Sequence, residues 1–182
     1  FGANTLGSAT FDPMLIRWSD QEDPANWTPA STNQAGDLRL SKGTEIVTAK
    51  QSRQEVLVWT DSSVYSLQYQ GAPIVWGVQL VGDNISIASQ NAVGFSGGVA
   101  YWMGKDKFYS YDGRTQTLPC DVRRFIFNDF NELQYDQVFA GTNEAFHEIW
   151  WFYCSQNSQT IDRCVVYNYL EKTWYYGNIA RP

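Results

Sequence analysis

Four short apolar segments carry a tryptophan near their end: Leu15-Ile16-Arg17-Trp18, Val56-Leu57-Val58-Trp59, Val99-Ala100-Tyr101-Trp102 and Glu148-Ile149-Trp150-Trp151. The tryptophans recur at intervals of about 40–50 residues. A chain repeating at this period, with each unit rich in strands, has the signature of a β-propeller array. The expected fold is therefore all-β: a β-propeller-like array of about four antiparallel blades, or part of a larger propeller, in a single domain over 1–182. The repeat units run roughly over 11–50, 51–90, 91–136 and 137–182. Trp18, Trp59, Trp102 and Trp151 are the expected repeat core, since a residue at the same place in every unit packs against the neighbouring sheet.

Each unit reads as a hairpin. Residues 56–60 run into the polar turn Asp61-Ser62-Ser63, and 64–69 then alternate apolar and polar, the antiparallel signal. The next unit copies this over 99–103, a turn at 104–106, and 107–111. Asp112-Gly113 is a tight turn, because Gly tolerates positive φ and Asp bonds back to the backbone. A third strand follows over 114–118. In the last unit 148–153 and 164–169 form the hairpin, 170–172 turns the chain, and 173–176 returns. Outer segments at 44–49, 74–81 and 137–140 complete each sheet to about four strands. The first unit diverges most: Pro24 and Pro29 remove ladder donors and break it into a loop. Residues 121–130 place Val122, Phe125, Ile126 and Phe130 at helical intervals, which predicts a short helix capped by Asp121.

Composition narrows the function. Aromatic residues make up 16% of the chain, an excess that suits pleated sheets and interfaces. A formal charge of −6 opposes a surface that grips nucleic acid, which needs clustered Lys and Arg. No apolar run reaches the roughly 18 residues of a membrane span, and no signal-peptide pattern opens the chain. The chain begins on Phe1 and reads as an interior piece of a longer polypeptide. Three cysteines do not make a disulfide framework. Cys154 and Cys164 flank the loop 155–163 and stand either as a bridge across the hairpin or as reduced, packed thiols.

Candidate chemistry is sparse. His147 is the sole histidine, so paired-histidine metal sites are excluded, and its place before a strand marks it as a structural group. Gly97-Gly98 has no following Lys-Ser/Thr and is not a phosphate loop. Asp20, Glu22 and Asp23 crowd one loop but lack the Gly-punctuated spacing of a calcium loop. Asp61, Asp106 and Asp112 are accounted for as turn residues rather than a glycosidase pair. No catalytic, metal or cofactor-binding residue is expected. Trp27, Trp76 and Trp174 fall outside the repeat register and are expected as surface or interface anchors.

Three stretches carry a resemblance. Phe11-Asp12-Pro13-Met14-Leu15-Ile16-Arg17-Trp18-Ser19-Asp20-Gln21-Glu22-Asp23-Pro24-Ala25-Asn26-Trp27 resembles a segment of tailed-bacteriophage structural proteins. So do Tyr101-Trp102-Met103-Gly104-Lys105-Asp106-Lys107-Phe108-Tyr109 with Tyr111-Asp112-Gly113-Arg114, and Ala140-Gly141-Thr142-Asn143-Glu144 leading into Trp150-Trp151-Phe152-Tyr153. In its propeller-like organisation the chain is similar to the tail hub or nozzle proteins of short-tailed phages, including the packaged-DNA stabilisation proteins. The resemblance implies a non-enzymatic virion protein without cofactors, assembled in the host cytoplasm. It implies a homo-oligomeric ring, usually hexameric, below the portal and adaptor, through which the genome passes without sequence-specific binding. Ring contacts are then expected from loops, at 23–36, 120–136 and 155–163, with Trp27 and Tyr135 as candidate interface anchors. The competing expectations are a carbohydrate- or receptor-binding tail propeller, lectin-like, and an extracellular glycosidase propeller.

Overall fold

The computed structural model describes residues 1–179; residues 180–182, the end of the last expected repeat unit, lie outside the described residues. The chain is mostly β, in five small antiparallel sheets, and divides into two compact units, Phe1–Ile85 and Ser86 onward.

In the first unit β1 (Ala3–Asn4) pairs with β2 (Phe11–Asp12), and β3 (Leu15–Trp18) pairs with β4 (Gly36–Arg39). A four-stranded up-and-down sheet follows: β5 (Ile46–Gln51), β6 (Val56–Thr60), β7 (Ser63–Tyr69) and β8 (Trp76–Asp83), each hydrogen-bonded to the next. The β6–β7 turn closes because Thr60 Oγ1 accepts the Ser63 amide at 2.9 Å. The Asp61 carboxylate accepts the amide and hydroxyl of Thr44, both at 2.8 Å, tying the chain ahead of β5 to that turn. Period-two alternation puts Val58 opposite Tyr65 and Val56 opposite Leu67. Val58, Tyr65 and Leu67 join Met14, Ile16 and Leu40 in one buried cluster. Full burial of such side chains stabilises by roughly 1.5–3 kcal/mol each.

The first expected repeat does not form a four-stranded sheet. Its strands make the two-stranded ribbon β3–β4, and Ile46–Gln51 joins the next sheet instead. The intervening loop satisfies its backbone locally: Asp20 Oδ1 accepts the amides of Gln21 and Gln34, and Asp23 Oδ1 that of Ala25. Side-chain acceptors of this kind compete with a sheet ladder.

The second unit holds two four-stranded sheets of the same up-and-down order. One comprises β9 (Val93–Ser96), β10 (Val99–Met103), β11 (Phe108–Tyr111) and β12 (Thr115–Leu118). After helix α1 (Arg123–Asn128) and a 3-10 segment over Glu132–Gln137 come β13 (Phe139–Asn143), β14 (Glu148–Tyr153), β15 (Arg163–Asn168) and β16 (Thr173–Asn178). Gly97 and Gly98 turn β9 into β10 with φ of 60° and 86°, a region that carries no steric penalty for glycine.

The first strands of these two sheets meet. Asn91 and Phe139 form a parallel bridge, the Ala140 amide donates to the Asn91 carbonyl at 2.7 Å, and Thr142 Oγ1 donates to the Phe95 carbonyl at 3.2 Å. Gly94 permits the approach, since a Cβ there would sit 3.2 Å from Thr142 Oγ1 and 3.5 Å from Ile149 Cγ2. Away from that edge Tyr101 stacks on Tyr169 at 5.8 Å.

Helix α1 lies inside the expected span 121–130, but its cap differs. Val122 occupies the N-cap position with no side-chain cap, and Asp121 accepts the adjacent Val122 amide. Asp121 stands one residue too early to reach the orphan amides of the first turn. Ile126 and Phe130 are buried as the helical spacing implies, whereas Phe125 lies against Tyr176 at 4.5 Å and is half exposed.

Candidate functional site

Trp59, Trp102 and Trp151 occupy one structural seat. Each is the fourth residue of the second strand in its four-stranded sheet, and each is fully buried. Two of the indoles are tethered to backbone ahead of β9. Trp102 Nε1 donates to the Ser86 carbonyl at 3.2 Å, and Trp151 Nε1 to the Ala92 carbonyl at 2.9 Å. Trp102 stacks on its cross-strand partner Tyr109 at 5.5 Å. Trp151 meets Phe108 of the neighbouring sheet at 5.0 Å. Trp18 departs from this seat: it is the fourth residue of β3 in a two-stranded ribbon, is only half-buried, and bonds the Gln34 carbonyl at 2.7 Å.

The tryptophans outside the register divide. Trp27 is 46% exposed on the 19–35 loop, its Nε1 donating to the Pro24 carbonyl at 2.7 Å. Trp174, expected as a surface or interface anchor, is half-buried at the edge of the contact between the two sheets of the second unit. It lies 4.7 Å from Phe108 and 4.5 Å from Tyr167, with Nε1 donating to the Pro119 carbonyl at 2.8 Å. Trp76 packs edge-on to Tyr69 and borders the buried cluster of the first unit. Tyr135 is half-buried, stacks on Phe130 at 4.6 Å and donates its hydroxyl to the Lys105 carbonyl at 3.0 Å. Burial pushes its phenol pKa up, with Glu132 and Asp106 adding to the effect. Beside it Leu133 is 88% exposed, the most exposed large apolar side chain of the 120–136 segment.

The ionisable groups fall into structural arrangements. His147 sits in the left-handed region at φ 59° as the C-cap of a 3-10 turn. Its Nδ1 shares a hydrogen bond of 3.2 Å with the Tyr169 hydroxyl, which also accepts Ser96 Oγ at 2.8 Å. A phenol thus stands between the imidazole and the serine. Activation of a nucleophile calls for direct hydrogen-bond contact between base and hydroxyl. This chain links the two sheets of the second unit. Burial raises the thiol pKa of Cys154 and Cys164 and pushes that of Cys120 up to about 12. All three thiols are free. Cys164 lies opposite Phe152 in the ladder rather than opposite Cys154, so the two sulfurs are not register partners.

Among the described residues no group of three or more His, Cys, Asp or Glu is placed to hold a metal ion. No helix there is long and apolar enough to cross a membrane. Asp20 and Asp23 act as turn acceptors, as do Asp61 and Asp112, the latter accepting the Arg114 amide at 3.3 Å. Asp162 caps the β14–β15 loop, accepting the Ser155 amide at 2.8 Å and hydroxyl at 2.7 Å, with Arg163 Nη1 at 3.2 Å. Comparison with protein-family models and with curated protein sequences gives no match.

Proposed function

We propose that this chain is a non-enzymatic structural component of a bacteriophage tail, built as a propeller-like array and assembling into a ring around the DNA exit channel. The observation that carries the reading is the recurrence of one sheet type. Three consecutive four-stranded sheets share the same strand order and the same buried tryptophan seat. Two of these sheets also meet through their first strands, as blades do around a central axis.

The remaining features suit a scaffold. Asp61, Asp112 and Asp162 serve turns and loops, the Cys154 and Cys164 thiols are buried, and aromatic side chains join the two sheets of the second unit. The net charge of −6 suits a wall that lets phosphates pass, because a basic lumen would hold them through counterion release. The resemblance described above supplies the tail position and six-fold order. Trp27 and Leu133 are among the exposed apolar side chains available for ring contacts, and each lies in one of the segments expected to make them.

The test is to image particles carrying a tagged copy of the chain. Density for the tag in a ring at the tail supports the reading. Absence of the protein from purified particles overturns it.

A further inference from the structure

The geometry points to a binding cleft for a neutral saccharide in the first unit, between the β3–β4 ribbon and the β7–β8 hairpin. Two adjoining cavities, of about 380 Å³ and 390 Å³, share Trp18, Gln34, Val75 and Trp76 in their walls. Tyr69 and Gln21 border the first and Asp37 the second. Together they match the size of small-ligand clefts, which run roughly 300–1,000 Å³. The site is independent of the ring reading and stands or falls separately.

Its aromatic walls are fixed before any ligand arrives. Trp18 and Trp76 both pack against the buried cluster of Met14, Ile16, Leu40, Val58, Tyr65 and Leu67, and both border the cleft. Trp18 is held further by its Nε1 bond to the Gln34 carbonyl, and it lies flat enough on Gly36 that no Cβ fits there. Trp76 is the cross-strand partner of Tyr69, the rings meeting edge to face at 5.6 Å and 72°. Anchored aromatic surfaces lose little conformational entropy on binding.

The chemistry of the lining selects the ligand class. Among the described residues no Lys or Arg borders either cavity and Asp37 is the sole acid, so an anion is disfavoured. A quaternary ammonium would suit the aromatic faces but has no use for carboxamides. Gln21 and Gln34 border the first cavity with the indoles, and a carboxamide carries both donors and acceptors. A pyranose ring needs that combination. Its C–H face lies on the negative face of an aromatic ring while its hydroxyls exchange hydrogen bonds with amides.

The experiment titrates the full chain with maltotriose, cellotriose and tri-N-acetylchitotriose, read by tryptophan fluorescence and saturation-transfer NMR. At least one trisaccharide should bind with a Kd on the order of 1 mM. Trp76→Ala should weaken it at least tenfold. Gln34→Ala, which leaves the aromatic packing intact, should weaken it severalfold with an unchanged melting temperature. Trp174→Ala, in the other unit, should leave binding unchanged. The inference is overturned if none of the three binds below about 10 mM, or if binding survives both Trp76→Ala and Gln34→Ala. It is also overturned if choline or decaproline occupies the cleft in preference to every sugar. None of these results bears on whether the chain forms a tail ring.

Discussion

Replacing Trp151 with alanine should come close to unfolding the second unit. The indole is fully buried, contacts Phe108 at 5.0 Å and Trp174 at 6.1 Å, and donates to the Ala92 carbonyl at 2.9 Å. Truncating a buried Trp costs about 3–5 kcal/mol through lost burial and the cavity left behind. The lost hydrogen bond adds only about 1 kcal/mol, because the Ala92 carbonyl still accepts the Met103 amide at 3.1 Å and is not orphaned. A total of about 4–6 kcal/mol is a large share of the 5–15 kcal/mol that typically holds a domain together. With a urea m-value of about 2 kcal/mol/M, the midpoint should fall by about 2–3 M. Trp151→Phe keeps the aromatic contacts to Phe108 and Trp174 and should cost roughly half as much, giving a folded variant even if the alanine form does not fold. Trp27→Ala, on an exposed loop, should stay within about 0.5 kcal/mol. Urea unfolding followed by fluorescence and circular dichroism measures all three. If Trp151→Ala shifts the midpoint no more than Trp27→Ala, the indole is not a pillar between the sheets and the reasoning fails.

Gly36→Ala should destabilise by about 1–3 kcal/mol and shift tryptophan emission. Its Cβ would lie 2.8 Å from Trp18 Cε2 and closer still to Cζ2, and the indole cannot swing away without losing its Gln34 bond. A melting temperature and emission maximum equal to the wild type would contradict this. Asp162→Asn should weaken folding by about 1.5 kcal/mol at pH 7, with the deficit vanishing in acid. Burial alone would raise the Asp162 pKa, but its two bonds from Ser155 and the charge of Arg163 outweigh that and hold it lowered. A lowered pKa contributes stability above the unfolded value near 3.9 and loses it as pH falls through the folded value. A deficit that persists unchanged at pH 2 would refute the assignment. The thiols should resist Ellman's reagent at pH 7.5, with Cys120 reacting slowly and Cys154 and Cys164 only after unfolding, because burial raises all three. Rapid native labelling of Cys154 or Cys164 would count against their placement.

Much of the sheet structure was legible in the chain. The strands at 56–60, 99–103 and 148–153 stand where alternation and flanking turns place them, because a tight polar turn fixes register and register fixes which face is apolar. The β9 strand was not legible: Val93-Gly94-Phe95-Ser96 is short and interrupted by a glycine whose purpose, close approach to Thr142 and Ile149, exists only once two sheets meet. The first expected repeat resembles the others locally around Trp18, yet Pro24, Pro29 and the Asp-rich loop leave Trp18 in the two-stranded ribbon β3–β4. Trp174 illustrates a different limit. Its contact with Tyr167 is the cross-strand pairing of its own hairpin, but nothing in its neighbours along the chain places it against Phe108, since that depends on which faces of two sheets come together. The aromatic cleft has the same character, because Trp18 and Trp76 are distant in sequence and acquire a common purpose only through the shared core beneath them.

The central claim is that the repeated sheets belong to a tail ring. A cryo-electron map of the intact particle at side-chain resolution tests it most directly. The account predicts the four-stranded sheets of 46–83, 93–118 and 139–178 as successive blades of a subunit in a closed ring around the channel, each with its indole buried at the same seat. A map that shows these sheets in a particle lacking such a ring, or that finds the chain in no particle at all, contradicts it.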